Sequence, residues 1–583
     1  MNAAIVLLAL AVGCEPPLAP TDADGDGAPF TRDCDDGDAR IHPGAAETCD
    51  GRDEDCDGLV DEGISVSAWY RDADGDGWGD PDSREYACSA PEGFVAAGGD
   101  CDDGDADVAP DAEDGDCDGV DQDCDGWDGR CRTLDPALAF WGAGPGDVAS
   151  MSLAGVGDFD RDGFDDFLVG SPTYRHTTPG AGAAMLVRGG PAPAGGDLEA
   201  RGLKLAGEAP RDVAGWASAG AGDVDGDGFA DLLVGAPDAA GQDPGTGRVY
   251  LVRGTHAARA MDLADADALF LGSKADGGLG WSVAGGGDVD GDGRDDLLLG
   301  ALRGPGFDLT APAAWLLPGA RALEGGTLDA LGLRLAAVNP NLHSCTVVAM
   351  ADDIDGDGFD DLLVGGPGPY SPAGQGPGRV FLLLGQAALA DRALVDADAC
   401  FRGTRSEWAG NAVAGVGDVD GDGHGDLLVG AYGHDEAAPA VGAAYLVLGA
   451  SAPTDRDLVD ADAIFLGVEA YACAGSAVAG PGDVNDDGFA DLLIGAPGTN
   501  LTRGDFGHAA LFLGAPIPAG GSLADADLLL GTGLADDGAG QTLAAAGDVD
   551  GDGVPDLLVG APGADLNGAD SGAAYLILGN TLW

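Results

Sequence analysis

Basic residues are scarce in this chain. Lys and Arg number 27 against 102 Asp and Glu, for a net charge of −75 over 583 residues. No basic stripe exists to neutralise a phosphate backbone, which excludes nucleic acid as a partner. Histidine is also sparse, at seven residues. His176, His256, His343, His424, His434 and His508 sit in loops or at loop edges without a repeated partner, so they read as surface residues rather than bases. Neither a Ser-His-Asp order, a zinc spacing nor a phosphate loop is present. No 10-residue window shows 3.6-residue spacing flanked by caps, which excludes the helical repeat families. Long apolar runs are missing too. Residues 1–13 (MNAAIVLLALAVG) are too short to span a bilayer.

What is abundant is acid, glycine and apolar residues. Hydrophobic residues make up 45% of the chain, which argues against disorder despite the charge. The 104 glycines cluster at turns, where positive φ angles are needed. The acid is concentrated in one pattern, Asp-x-Asp-x-Asp-Gly-x-x-Asp, which recurs seven times at a constant 65-residue interval. A spacing that does not drift identifies one structural unit repeated seven times.

The repeated acids are Asp158, Asp160, Asp162 and Asp166; Asp223, Asp225, Asp227 and Asp231; Asp288, Asp290, Asp292 and Asp296; and Asp353, Asp355, Asp357 and Asp361. The last three copies are Asp418, Asp420, Asp422 and Asp426; Asp483, Asn485, Asp487 and Asp491; and Asp548, Asp550, Asp552 and Asp556. Positions 1, 3 and 5 can converge three carboxylates within a tight loop. Position 6 turns sharply, position 7 offers a carbonyl, and position 9 can close the shell. Hard oxygen ligands in this number favour Ca²⁺ over Mg²⁺, with about seven ions expected across the repeats. An EF-hand would place its last acid at position 12, where the second copy has Val234. Asn485 removes one charge, so the sixth loop should bind most weakly. No water-activating partner stands beside the loops, so the expected role of the ions is structural.

Each acidic loop runs into an apolar segment such as DLLVGAP at 231–237. Short Leu- and Val-rich runs bounded by Gly, Pro and Asp read as strands, four to a unit. In the third unit these are WSVAGGG, DLLLGA, AAWLLPG and the following LRLA. Four-stranded repeats in radial array are propeller blades. The expected fold is therefore all-β, a seven-bladed β-propeller over 134–583. The chain ends at YLILGNTLW, without an outer strand for the last blade, and LAFWG at 138–142 can supply it. Sealing the ring this way leaves no wide exposed edge.

The N-terminal part is different. Residues 1–14 read as a signal peptide, followed by a Pro-containing linker over 15–31. Ala11-Val12-Gly13-Cys14 resembles a bacterial lipobox, which implies lipidation at Cys14, although no Lys or Arg precedes the apolar core. Eight cysteines crowd the next segment: Cys34, Cys49, Cys56, Cys88, Cys101, Cys117, Cys124 and Cys131. In an exported chain they imply four disulfides, whose pairing the spacing leaves open. Cys345, Cys400 and Cys473 stand apart and read as small packed residues. Asp72, Asp74, Asp76 and Asp80 repeat the 1-3-5-9 pattern and are expected to bind calcium, giving one or more ions in this region. Asp53, Asp55, Asp57 and Asp61 follow the same pattern, whereas Asp22, Asp24 and Asp26 have Phe30 at the ninth position.

Two resemblances follow from these residues. RDCDDGDARIHPGAAETCDGRDEDCDG and GDCDDGDADVAPDAEDGDCDG, within 32–132, look like the Cys-Asp-rich metal-binding modules of secreted and surface proteins of bacteria. The 65-residue units resemble the FG-GAP repeats of the integrin α-subunit head and its bacterial relatives. The GAP tripeptide stands at Gly235-Ala236-Pro237, Gly495-Ala496-Pro497 and Gly560-Ala561-Pro562. The Gly of the FG pair stands at Gly215, Gly280, Gly410, Gly475 and Gly540, with Ser150 and Cys345 in the other two units.

The resemblance implies a non-catalytic, calcium-binding protein of the cell surface, or a secreted one, that adheres to a protein or glycan. It implies that partners dock on the face opposite the calcium loops. Tyr174, His176, Trp216, Trp281, Tyr370, Trp408, Tyr432, His434, Tyr471, Phe506 and His508 fall in the loops of that face. Trp216 and Trp281, beside their strands, are expected to pack between blades. The alternative is a calcium-dependent enzyme acting on polysaccharide or phospholipid from a propeller scaffold. The expected state is a monomer, held to an outer membrane only through a lipid anchor.

Overall fold

The computed structural model describes residues 22–582 apart from 62, 65–66, 107, 111, 113–121, 123, 125–130, 175–179, 240–245, 273–277, 302–311, 337–346, 368–376, 405–406, 436–438, 499–506 and 535. The signal peptide, Cys14, Cys117, His176, His343, Cys345, Tyr370 and Phe506 lie outside the described residues. Two compact units are present, Met1–Asp114 with Asp121–Gly126, and Gly115–Val120 with Trp127–Trp583.

The second unit holds seven five-stranded sheets. In the first, Ser152–Gly157, Asp166–Ser171, Ala183–Val187 and Leu203–Ala206 run antiparallel in order. Met261–Asp262 then adds a fifth strand in parallel. The acidic loop joins the first strand to the second. The second strand is wholly buried in all seven sheets. Its sequence is a continuous apolar run because both faces are covered. Phe167 and Val169 share a core with Leu558 of the seventh sheet, while Leu168 shares one with Leu232 and Val234 of the second.

The first strands neighbour one another in chain order, and Thr542–Gly547 of the seventh sheet neighbours Ser152–Gly157 of the first. These first strands surround a cavity of about 530 Å³. The strands approach closely there. A Cβ on Gly220 would stand 2.7 Å from the Gly155 carbonyl oxygen, and one on Gly480 would stand 2.4 Å from Val416 Cα.

The fifth strand differs from the sequence expectation of four. In six sheets it is a two-residue pairing followed by a single helical turn whose Leu is buried, as at Leu263, Leu394, Leu458 and Leu523. A two-residue strand falls below the length at which alternation can be read from sequence. Ala139–Trp141 pairs with Ala573–Tyr575 as the fourth strand of the seventh sheet. Cys131–Thr133, which the sequence reading placed mostly in the Cys-rich segment, is instead the outer parallel strand of the sixth sheet.

The first unit has one small sheet, Ser67–Arg71 flanked by Asp80–Ala87 and Phe94–Val95. Among the described residues three disulfides hold it, Cys34–Cys56, Cys49–Cys88 and Cys101–Cys124; Cys117, expected in a fourth, lies outside them. Few apolar residues are buried here, Ile41, Val108 and Ala109 among them, so covalent links stand in for a core. Of the remaining cysteines, Cys400 is buried and unbridged and Cys473 is half-buried and unbridged.

Candidate metal centres

The seven acidic loops share one geometry. In each, the position-1 carboxylate accepts from the backbone N–H groups of positions 5 and 6 at 2.7–3.0 Å. The position-5 carboxylate accepts from the N–H of position 7 in every copy. In six loops one oxygen at position 3 accepts from the N–H of position 5. These bonds wrap the backbone around the carboxylates and leave further lone pairs of each for a cation. Position 6 has φ between +84° and +96° in all seven copies, which glycine adopts without strain. Position 4 is left-handed as well, even where it is Arg161 (φ 56°) or Asp486 (φ 57°).

Position 9 is buried in every loop, at 0–1% exposure. In the second loop Asp231 Oδ2 accepts from Val224 N at 3.2 Å and Oδ1 from Gly254 N at 2.8 Å. The other six repeat this pair of bonds to position 2 and to the Gly two residues beyond the third strand. Position 9 is therefore a structural acceptor as well as a candidate ligand. Burial, with the charges of Asp225 and Asp227 added, pushes the Asp231 carboxyl up to about 7 against those two hydrogen bonds. Burial does the same at Asp166, Asp296, Asp361 and Asp556, up to about 7, and at Asp426 and Asp491, up to about 6. A carboxylate crowded by like charges in a buried site is stabilised by a bound cation.

Two loops meet a side-chain cation. Arg188 Nη1 lies 3.2 Å from Asp160 Oδ2, and Arg253 Nη1 lies 2.7 Å from Asp225 Oδ2. In the sixth loop Asn485 Nδ2 donates to Asp487 Oδ2 at 2.9 Å.

Neighbouring loops are also joined. The N–H of position 8 donates to the position-1 carbonyl of the preceding loop from Asp165, Ala230, Asp295, Asp360, Gly425 and Ala490. The first of these reaches Asp548 O of the seventh loop. Asp165, Asp295 and Asp360 reinforce the link through their carboxylates, which accept from Asp548 N, Asp223 N and Asp288 N at 2.9, 2.6 and 2.8 Å. Their place at position 8 of three loops is visible in the sequence, but nothing there shows that they reach the preceding loop.

In the first unit Asp72, Asp74 and Asp76 come together, with ligand oxygens within 4.8 Å of one another, and so do Asp22, Asp24 and Asp26. Asp80 opens a strand, as the ninth-position acids of the second unit do, but its Oδ1 accepts from Asp82 N at 2.8 Å, while the N–H of position 2, Ala73, donates to Asp103 Oδ1. Asp53 and Asp55 group with Glu47, and Asp61 groups with Glu47 and Glu54.

On the side opposite the acidic loops, several expectations change. His434 and His508 are buried rather than on the surface, at 4% and 5% exposure. His434 Nδ1 lies 2.9 Å from Glu407 Oε2, to which Tyr445 OH also donates at 2.8 Å. The buried Glu407 carboxylate draws the imidazole inward, and it lies too far off in sequence to have marked it. Tyr174 is buried and donates to Glu199. Trp216 and Trp281 are half-buried, and their rings meet at 4.6 Å across adjacent sheets. Trp408 and Tyr432 meet edge-on at 4.8 Å. Tyr471 is 66% exposed.

Comparison with known proteins fits this geometry. The FG-GAP repeat profile matches residues 151–185, 214–252, 279–310, 346–383, 474–512 and 539–577. The family described as "Putative metal-binding motif" matches 33–62 and 100–128. The chain thus carries six matched FG-GAP repeats behind two copies of that motif. The fifth acidic loop, 418–426, lies outside the matched intervals yet keeps the same strand register. Among curated proteins, the chain is 36% identical to integrin alpha-IIb of Mus musculus over 169 residues, 27% of this chain and 15% of that protein. It is 36% identical to integrin alpha-5 of Xenopus laevis over 157 residues, 25% of this chain and 14% of that protein. It is 35% identical to phosphatidylinositol-glycan-specific phospholipase D of Homo sapiens over 160 residues, 27% of this chain and 19% of that protein. The chain spans less than a fifth of the length of these relatives.

Proposed function

We propose that the second unit is a closed seven-bladed β-propeller held by calcium, and that the protein is an exported, non-catalytic binding or adhesion protein. The observation that carries the calcium reading is the recurrence of one carboxylate geometry in all seven loops, down to the paired hydrogen bonds at position 9. Acidic turns need one or two Asp residues, not four in fixed register. About seven Ca²⁺ in the propeller and one or more in the first unit would balance part of the −75 charge. Chelation should lower the melting temperature markedly, and an unchanged melting curve in EDTA would refute the reading.

The binding face we assign is the one opposite the acidic loops, where Trp216 and Trp281 recur at one position of two units and Trp408, Tyr432 and Tyr471 vary. Aromatics on loops make contact area for protein or glycan. A single asymmetric site accords with that variation better than one sugar site per blade. Export to a bacterial surface, with lipidation at Cys14, is part of the same proposal. Among the described residues no helix is long and apolar enough to cross a membrane. A glycan array run beside a pull-down from native envelope tests the binding role. The phospholipase D relative favours a second reading, a calcium-dependent enzyme acting on phospholipid or polysaccharide. Hydrolysis of either substrate class that EDTA abolishes would favour it.

A further inference from the structure

The first unit contains two sites of equal design that the spacing of its acids does not show. In the first, Asp72 Oδ1 accepts from Gly75 N, Asp74 Oδ1 from Asp76 N, and Asp76 Oδ1 from Trp78 N. Asp74 Oδ2 and Asp76 Oδ2 are buried without a hydrogen-bond partner. A third such oxygen is Asp100 Oδ2, on a side chain only 2% exposed whose Oδ1 accepts from Asp102 N at 2.9 Å. Asp100 N donates to Gly79 O at 3.3 Å, which sets this residue against the 72–80 loop. Asp103 Oδ1 docks the segment by accepting from Ala73 N at 2.7 Å.

The second site repeats every element. Asp24 Oδ2, Asp26 Oδ2 and Asp33 Oδ2 are buried without a partner, and Asp33 is 8% exposed. Asp33 Oδ1 accepts from Asp35 N, and Asp36 Oδ1 accepts from Ala23 N. In both sites the closing Asp precedes a disulfide cysteine, Cys34 or Cys101, whose N–H contacts the partner Sγ at 3.1 Å.

Three carboxylate oxygens removed from water with no donor between them repel one another unless a cation stands among them. We infer that each site holds one hard divalent cation, Ca²⁺ by its all-oxygen donor set, and that the closing ligand is Asp100 in one and Asp33 in the other, not a ninth-position acid. Each ion would then tie a DxDxD loop to a disulfide-bonded Asp-Cys-Asp-Asp segment. The loops start 50 residues apart and the closing acids stand 67 apart, so no constant register links them. The inference shares with the proposed function the reading of DxDxD loops as cation loops, yet its test reports on the first unit alone.

Trp78 supplies that test, because it occupies position 7 of the first loop. Position 7 of the seven propeller loops holds Phe164, Phe229, Arg294, Phe359, His424, Phe489 and Val554. Tb³⁺ is titrated into the full-length, calcium-free protein while tryptophan is excited selectively, and calcium is used to compete it off. Trp78→Phe should remove the saturable emission, which assigns the signal to this site. Asp100→Asn should weaken the Trp78-dependent binding by about tenfold or more, the effect of removing one charged ligand, while Asp80→Asn leaves it within about twofold. The reverse order, with Asp80→Asn damaging and Asp100→Asn silent, would overturn the inference, as would the absence of any Trp78-dependent emission. Mass spectrometry of the Cys101–Cys124 disulfide checks folding of each variant. If Asp100→Asn does not form that disulfide, carboxyl footprinting of the wild-type protein decides. Calcium must then protect Asp74, Asp76 and Asp100 from carbodiimide labelling and leave Asp80 unchanged. Failure of the propeller reading would appear separately, as unchanged melting of the second unit in EDTA.

Discussion

Calcium binding to the propeller loops should release protons, and the structure sets how many. Without a cation, burial holds the position-9 carboxyls of five loops at about 7 and those of Asp426 and Asp491 at about 6. A cation needs the ionised form. At pH 7 the five loops are near half-protonation, so each should release about half a proton on loading. That becomes about nine tenths at pH 6 and about a tenth at pH 8. Isothermal titration with calcium at one pH, in buffers of different ionisation enthalpy, reads the number directly. The same groups fix the sign of the pH dependence. Between the ordinary carboxylate range and about 7 the metal-free folded protein binds more protons than the unfolded chain. Its stability therefore falls as pH rises, by about 1.4 kcal/mol per pH unit for each such group. The calcium-loaded protein should show no such fall across that window, because the gain in calcium affinity on ionisation offsets it. A heat of binding independent of buffer, or a metal-free melting temperature that climbs from pH 5 to pH 7, would refute the reasoning.

Three further substitutions follow from single sites. Ser150 stands where five units have the FG-type glycine, holds φ at 72°, and buries a hydroxyl with no partner; Ser150→Gly should stabilise by about 1 kcal/mol or more, read as a higher melting temperature. Asn485→Asp should raise the calcium affinity of the sixth loop and lower stability in EDTA, since it replaces an amide that donates to Asp487 with a second charge; calcium titration resolves the weakest class of site. Phe140 is 2% exposed and meets Phe167 edge-on at 5.2 Å, so Phe140→Ala should cost about 3–5 kcal/mol in denaturant unfolding.

Much of this fold was legible because the chain states it seven times. The 65-residue interval, the continuous apolar second strand and the placing of LAFWG beside the last sheet all rest on strong local signals. The role of the FG-type glycine becomes clear only through its exception. Gly215, Gly280, Gly410, Gly475 and Gly540 have φ from 75° to 88°, and Ser150 adopts the same conformation against its preference. What the sequence hid is contact between segments that share no register. Asp33 and Asp100 meet their loops at separations that differ between the two sites, and Glu407 reaches His434 across 27 residues. The two-residue fifth strands fail for another reason, being too short to carry a period.

The links between acidic loops are broken at one junction. A position-8 N–H joins each loop to the one before it, from Asp165 around to Ala490. The seventh loop has Pro555 at that position, which has no N–H to give to Asp483 O. The missing bond lies between the sixth and seventh sheets. The segment entering the second unit crosses this same junction, placing Cys131–Thr133 on the sixth sheet and Ala139–Trp141 on the seventh. Leu134 and Ala139 between and within those strands are buried in one core with Leu493 of the sixth sheet and Leu557 of the seventh. Closure therefore does more than complete the last sheet. It laces together the two sheets whose loops lack the position-8 bond, so the stretch 131–141 and the Pro555 junction form one structural device.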